Sequence, residues 1–180
     1  SQALSGTGGL EKLGAGNLTL NAASTYTGPT LVSAGTLTLA LNSSITSAVT
    51  VADGASLAGA GTIAGNLSFN SGAKFVFSLN QTLLANGATV SFADFGIDDL
   101  VGLSSATTVG LYNLIGGTAI INTNGLSNLG AANAADLGDG KSAYFTEGSL
   151  QVNVVPEPST YALLVLAGLG LAGHVIRRRR

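Results

Sequence analysis

Ala15-Gly16-Asn17-Leu18-Thr19-Leu20 returns nineteen residues later as Ala34-Gly35-Thr36-Leu37-Thr38-Leu39, and Ala55-Ser56-Leu57 brings a leucine back twenty residues after Leu37. Within each copy apolar and polar residues alternate, the period of a strand with one buried face. Alternation predicts that Leu18, Leu20, Leu37 and Leu39 point inward, with Thr19 and Thr38 outward. Strand-like pieces at Val49-Thr50-Val51, Gly61-Thr62-Ile63, Leu67-Ser68-Phe69 and Phe75-Val76-Phe77-Ser78-Leu79 continue the series. A repeat near twenty residues, made of short strands and small turn residues, predicts a solenoid in which coils bury side chains against their neighbours and none folds alone. Gly16, Gly35, Gly61 and Gly72 are expected at tight corners.

Past Leu79 the repeat weakens. Thr89 to Phe95, Thr108 to Ile115, Ala119 to Ile121 and Ser149 to Val154 keep strand character, whereas Leu126 to Leu137 is open between a short helix and a loop. Residues 1–82 are therefore read as a β-solenoid repeat region, 83–154 as its irregular β continuation and cap, with a separate small β-domain as the alternative there, and 155–180 as a distinct tail.

Composition narrows the chemistry. The 180 residues include 26 glycines but no cysteine, methionine or tryptophan, so neither disulfides nor thiolate metal sites can staple the fold. Residues 1–153 carry eight acidic residues against Lys12, Lys74 and Lys141, and no basic patch interleaved with aromatics, which argues against a nucleic-acid partner. The single histidine is His174, in the tail, so no body serine has a histidine base. Asp53, Asp94, Asp98, Asp99, Asp136 and Asp139 fall into no recognisable catalytic motif. The reading is a non-enzymatic protein without a cofactor or metal site. Asp94, Asp98 and Asp99 form the one compact acidic group; they could attract calcium but lack the ordered oxygen series of an EF-hand loop, and a solvated loop is preferred.

The tail has three parts. Val155-Pro156-Glu157-Pro158-Ser159 comes first; the prolines keep this stretch extended and Ser159 suits a helix cap. Tyr161 to Ile176 follows without formal charge when His174 is neutral, and includes Leu164, Leu166, Leu169 and Leu171; Arg177, Arg178, Arg179 and Arg180 close it. Its sixteen residues would make a helix of about 24 Å, short against a hydrocarbon layer of about 30 Å, a difference that snorkelling arginines reduce. The expectation is a single C-terminal transmembrane helix with its arginines on the cytoplasmic side and the large N-terminal body outside.

This order of Pro156-Glu157-Pro158, apolar helix and arginine cluster resembles the sorting tail of bacterial PEP-CTERM proteins. The resemblance implies recognition by an exosortase at Pro156, Glu157 and Pro158, a precursor in the bacterial inner membrane, and a mature form at the cell surface or outside the cell. Because Ser1 is not preceded by a basic and apolar leader, the sequence is expected to be a fragment or processed form of such a protein. A second resemblance lies in Gly14 to Leu20, Thr25-Tyr26-Thr27-Gly28 and Thr30 to Leu39, which are similar to the autotransporter-associated beta-strand repeat. That family implies a parallel β-helix of the kind found in bacterial surface passengers. Pro29 departs from its pattern, at a cost only if position 29 lies within a central strand.

The expected function is an exported structural protein of an envelope, extracellular matrix or biofilm, with the inner membrane and an exosortase-type enzyme as partners and exopolysaccharide as a further candidate. Two alternatives stand beside it. One is an ice- or glycan-binding module, since Thr19, Thr36 and Thr38 could begin a threonine array; the other is a non-catalytic fragment of a larger surface enzyme.

Overall fold

The computed structural model describes residues 3–86, 89–146 and 150–157. Each turn of the chain contributes three short strands. The first turn holds β1 (Leu10–Lys12), β2 (Asn17–Leu20) and β3 (Ala23–Ser24), and the second β4 (Thr30–Val32), β5 (Thr36–Leu39) and β6 (Ser44–Ile45). The third holds β7 (Val49–Val51), β8 (Ser56–Gly59) and β9 (Thr62–Ile63), and the fourth β10 (Leu67–Phe69), β11 (Lys74–Val76) and β12 (Leu83–Ala85). β13 (Thr89–Phe92), β14 (Leu100–Val101) and β15 (Gly110–Gly117) make a fifth turn, and β16 (Ile120–Ile121) begins another pass. Every third strand pairs in parallel, giving sheets ordered β1-β4-β7-β10-β13-β16, β2-β5-β8-β11-β14 and β3-β6-β9-β12-β15. This is an all-β parallel solenoid.

Register turns the sequence repeat into columns of stacked side chains. Leu18, Leu37, Leu57, Phe75 and Leu100 are successive partners along the second sheet. Leu37, Leu57, Phe75 and Leu100 are buried, whereas Leu18 is half-buried because β2 is the edge of this sheet among the described residues. Thr19 is exposed and Thr38 half-exposed, as alternation predicts. In the first sheet Val32, Val51, Phe69 and Phe92 form a buried column with Lys12 at its head. The Lys12 ammonium closes that end by donating to the carbonyls of Leu13, Gly14 and Ala34 at 2.6–3.0 Å. Pro29 precedes β4 and leaves the ladder intact, its carbonyl accepting from the Leu10 amide at 2.9 Å.

Two of the four expected corner glycines, Gly35 (φ 68°) and Gly72 (φ 77°), adopt left-handed backbone; Gly16 and Gly61 do not. At Gly61 the constraint is instead close packing, because a Cβ there would meet the Ser43 hydroxyl and the Leu39 side chain.

The repeat fades because the coils lengthen. Paired residues are nineteen apart from Thr30 to Val49 and eighteen from Val49 to Leu67, but twenty-three from Leu67 to Val90 and thirty-one from Thr89 to Ile120. The stretch between Leu126 and Leu137 resolves into a 3-10 turn at Ala131–Asn133 and the start of β17 (Ala135–Gly138). β17, β18 (Lys141–Thr146) and β19 (Leu150–Pro156) then run antiparallel, and β19 joins β15 to extend the third sheet. Their inward residues Ala143, Phe145, Leu150, Val152 and Val154 enter the same core as the coils. Phe95 sits between the two parts, 5.3 Å from Phe69 and 6.0 Å from Phe145 by ring centroids.

One expectation needs correction. Among the described residues no helix is long and apolar enough to cross a membrane, and their only helical elements are 3-10 turns of three residues, each spanning about 6 Å. The predicted C-terminal transmembrane helix, and with it the inner-membrane precursor with a cytoplasmic C-terminus and periplasmic body, does not stand in the described fold. Tyr161, Leu164, Leu166, Leu169, Leu171, Ile176 and Arg177 to Arg180 lie outside the described residues.

Candidate functional site

β19 leads directly into Pro156 and Glu157. Its alternation places Leu150, Val152 and Val154 in the core, with Gln151, Asn153 and Val155 on the outer face. From Gln151 to Val154 the strand pairs with β15 on one side and β18 on the other; Leu150 pairs with Ile115 of β15, and Val155 and Pro156 pair with β18 alone, opposite Ser142 and Lys141. The Glu157 amide donates to the Gly140 carbonyl at 2.9 Å. Since amides turned toward β18 alternate along an antiparallel strand, that bond at 157 turns the imino nitrogen of Pro156 away from β18, where its missing proton costs no ladder bond.

The turn that receives Glu157 is itself specified locally. Asp139 (φ 53°) and Gly140 (φ 68°) link β17 to β18 in the left-handed geometry of a two-residue hairpin, and the Asp136 carboxylate accepts from the Gly138 amide at 2.6 Å. Pro156 and Glu157 are half-buried at this corner; Pro158 lies outside the described residues. Beside them opens a cleft of about 420 Å³, with Ala131, Ala134, Asp136, Tyr144, Val155 and Glu157 in its wall. The outer face of the cap is amide-rich: Gln151 Nε2 donates to Asn113 Oδ1 at 2.5 Å, Thr146 Oγ1 donates to Gln151 Oε1 at 3.1 Å, and Asn153 Nδ2 donates to the Tyr144 hydroxyl at 2.9 Å.

The other candidate residues do not assemble into a site. Asp99 is held by structure: one oxygen takes the Lys74 ammonium at 2.6 Å and the other the Gly96 amide at 2.8 Å, while Asp94 and Asp98 are exposed. Among the described residues no group of three or more His, Cys, Asp or Glu side chains could hold a metal ion. Thr19 and Thr38 are neighbours on the second sheet, but Ala58 occupies the next rung and Thr38 Oγ1 donates to Asn17 Oδ1 at 2.8 Å, so this threonine array ends after two coils.

Sequence reasoning missed the anchoring of Glu157. The signal was present: Asp139-Gly140 between alternating segments marks a hairpin. Lys12 also carried a clue, being the one charged residue in phase with the inward Val32 and Val51.

Comparison with protein families finds two matches. Residues 10–39 match the passenger-associated transport repeat, and residues 154–180 match the PEP-CTERM protein-sorting motif. The first covers β1 to β5; the second begins at Val154, within β19. No curated protein and no solved structure matches the chain. The chain is thus a β-solenoid that bears a PEP-CTERM motif and is handled by an exosortase-type sorting system.

Proposed function

We propose that this protein is an exported, non-enzymatic structural component of an envelope, extracellular matrix or biofilm, and that the solenoid is the cargo which the sorting motif marks. The carrying observation is the union of the two parts: a sparsely charged stack of coils whose last strand runs directly into a PEP-CTERM motif. A solenoid presents long, regular outer faces relative to its volume, which suits assembly into a layer more than enclosure of a substrate. The exosortase-type enzyme acts at or near Pro156-Glu157-Pro158. In a host carrying such an enzyme, intact mass of the exported protein should end near Pro156 to Pro158, and replacing Pro156, Glu157 and Pro158 together by alanine should abolish that product. Exported protein that always retains Arg180 would refute processing.

Exopolysaccharide is the partner whose chemistry fits best. The amides of Asn113, Gln151 and Asn153 beside Tyr144 offer uncharged donors and acceptors together with an aromatic surface, a combination suited to neutral sugars. Titration of the protein with the host's own polysaccharide tests this; a shift in the side-chain amide resonances of Asn113, Gln151 and Asn153 supports it, and no shift at saturating polysaccharide removes it.

A further inference from the structure

The sorting motif does not hang from the body on a linker; its first two residues are part of the body's last sheet. Pro156 is the final residue of β19, two positions beyond the fully buried Val154, and the Glu157 amide is bonded to the β17–β18 turn. We propose that the folded cap holds the sorting motif closed, so that a processing enzyme reaches Pro156 and Glu157 only after the end of β19 has peeled away from β18. The proposal rests on the reading that an exosortase-type enzyme processes this motif.

The argument is one of competition for the same backbone. An enzyme that processes a peptide binds several residues on each side of its target in extended form, using main-chain groups as well as side chains. At Val155 and Glu157 the groups facing β18 are already committed, to Ser142 by strand register and to the Gly140 carbonyl by hydrogen bond. The pairing is also graded. Beyond Val154 the strand has one neighbour, because β15 begins at Gly110 opposite Val154; from Val154 back to Gln151 it has two, and its inward side chains Val152 and Val154 are buried. Freeing residues 155–157 therefore separates one pairing and uncovers half-buried side chains, whereas freeing Val154 disrupts a second pairing and the core. The gate lies at Val155, Pro156 and Glu157. Asp139 and Gly140 are positioning residues, since their left-handed turn points the Gly140 carbonyl at the Glu157 amide.

The consequence is an order of events: chains whose cap has not closed are processed faster than chains whose cap has. The test compares the full chain with a full-chain variant carrying Gly-Ser-Gly-Ser inserted between Val155 and Pro156, which moves the motif off the sheet without altering a motif residue. In purified, unprocessed protein, exchange of the Glu157 amide should be slowed about tenfold or more against the insertion variant, as expected of a bonded amide at a fraying strand end. Equal exchange would overturn the proposal without reference to any enzyme. In a host with an exosortase-type enzyme, intact-mass time courses should show the insertion variant processed about tenfold faster, and equal rates would likewise overturn it. If neither chain is processed, the sorting reading itself fails and the gate falls with it, whereas slowed Glu157 exchange in the same experiment shows that the cap anchorage is not what failed.

Discussion

Truncation of Leu37 to alanine measures directly whether coil stacking holds this protein together. Leu37 is fully buried between Leu18 and Leu57 in the second sheet's inward column. Removing three carbons forfeits about 2.4 kcal/mol at about 0.8 kcal/mol per buried methylene. Backbone ladders on both sides of β5 resist collapse into the space, so a residual cavity raises the total to about 3–4 kcal/mol. With a urea slope of about 2 kcal/mol per molar, the unfolding midpoint should fall by about 1.5–2 M, read by circular dichroism on the purified chain. Two controls make the reasoning specific. Thr38→Ala, next in sequence but outward, loses one solvent-accessible hydrogen bond to Asn17 and should shift the midpoint by less than about 0.5 M. Leu18→Ala removes the same atoms from a half-buried position at the sheet edge and should cost about half as much as Leu37→Ala. Equal shifts for Leu37 and Thr38, or a loss below about 1 kcal/mol at Leu37, would refute the columnar core.

Three further outcomes follow from named contacts. Tyr26→Phe should cost about 1 kcal/mol, read by urea unfolding, because the buried Tyr26 hydroxyl bonds the Thr30 hydroxyl at 2.5 Å and Thr30 in turn contacts Ser47 at 3.0 Å. Lys12→Met should destabilise by about 1–3 kcal/mol in the same assay despite its greater apolarity, since three carbonyls lose their shared donor. Asp99→Ala should lower the thermal midpoint through loss of the Gly96 amide's acceptor, while added calcium leaves the wild-type midpoint unchanged because Asp99 is already engaged by Lys74.

The sequence was most legible where coil length was constant. Leu18, Leu37 and Leu57 recur at nineteen and twenty residues, and they are partners in register, so period and alternation together specify the first coils. Legibility failed for two physical reasons. The later coils absorb extra residues in the 3-10 turn Ile97–Asp99 and the loop before β15, which leaves strand pairing intact but destroys a fixed period. The direction of pairing also changes at β15, and alternation is the same for parallel and antiparallel neighbours, so β19 reads as a strand without revealing that β18 and β15 flank it. At the site, Pro156 and Glu157 were legible as a motif from their residue types alone; Asp139-Gly140 marks the hairpin that receives Glu157, but which segment that turn receives is a non-local matter the local pattern does not specify.

The joint at β15 explains how the end of this chain can be handled without unravelling the rest. Its two halves serve different neighbours: Gly110 to Asn113 pair antiparallel with Val154 to Gln151 of β19, whereas Ile115 to Gly117 pair parallel with Leu83 to Ala85 of β12. Only Ile115 is a partner to both, and it is buried beside the equally buried Leu114. Peeling β19 from its Pro156 end thus breaks the pairing of Val155 and Pro156 with β18 first, draws Val154 and Val152 out of the shared core next, and reaches the Ile115–Leu150 contact last. In a stack whose stability is the sum of neighbouring interfaces, the parallel ladders from β1 to β12 stay paired while β19 opens, and what the coils lose first is core packing against Val154 and Val152. Opening confined to residues 155–157 leaves Val154 in the core and the coil ladders paired, so Pro156 and Glu157 can be exposed by loss of the β18 side alone.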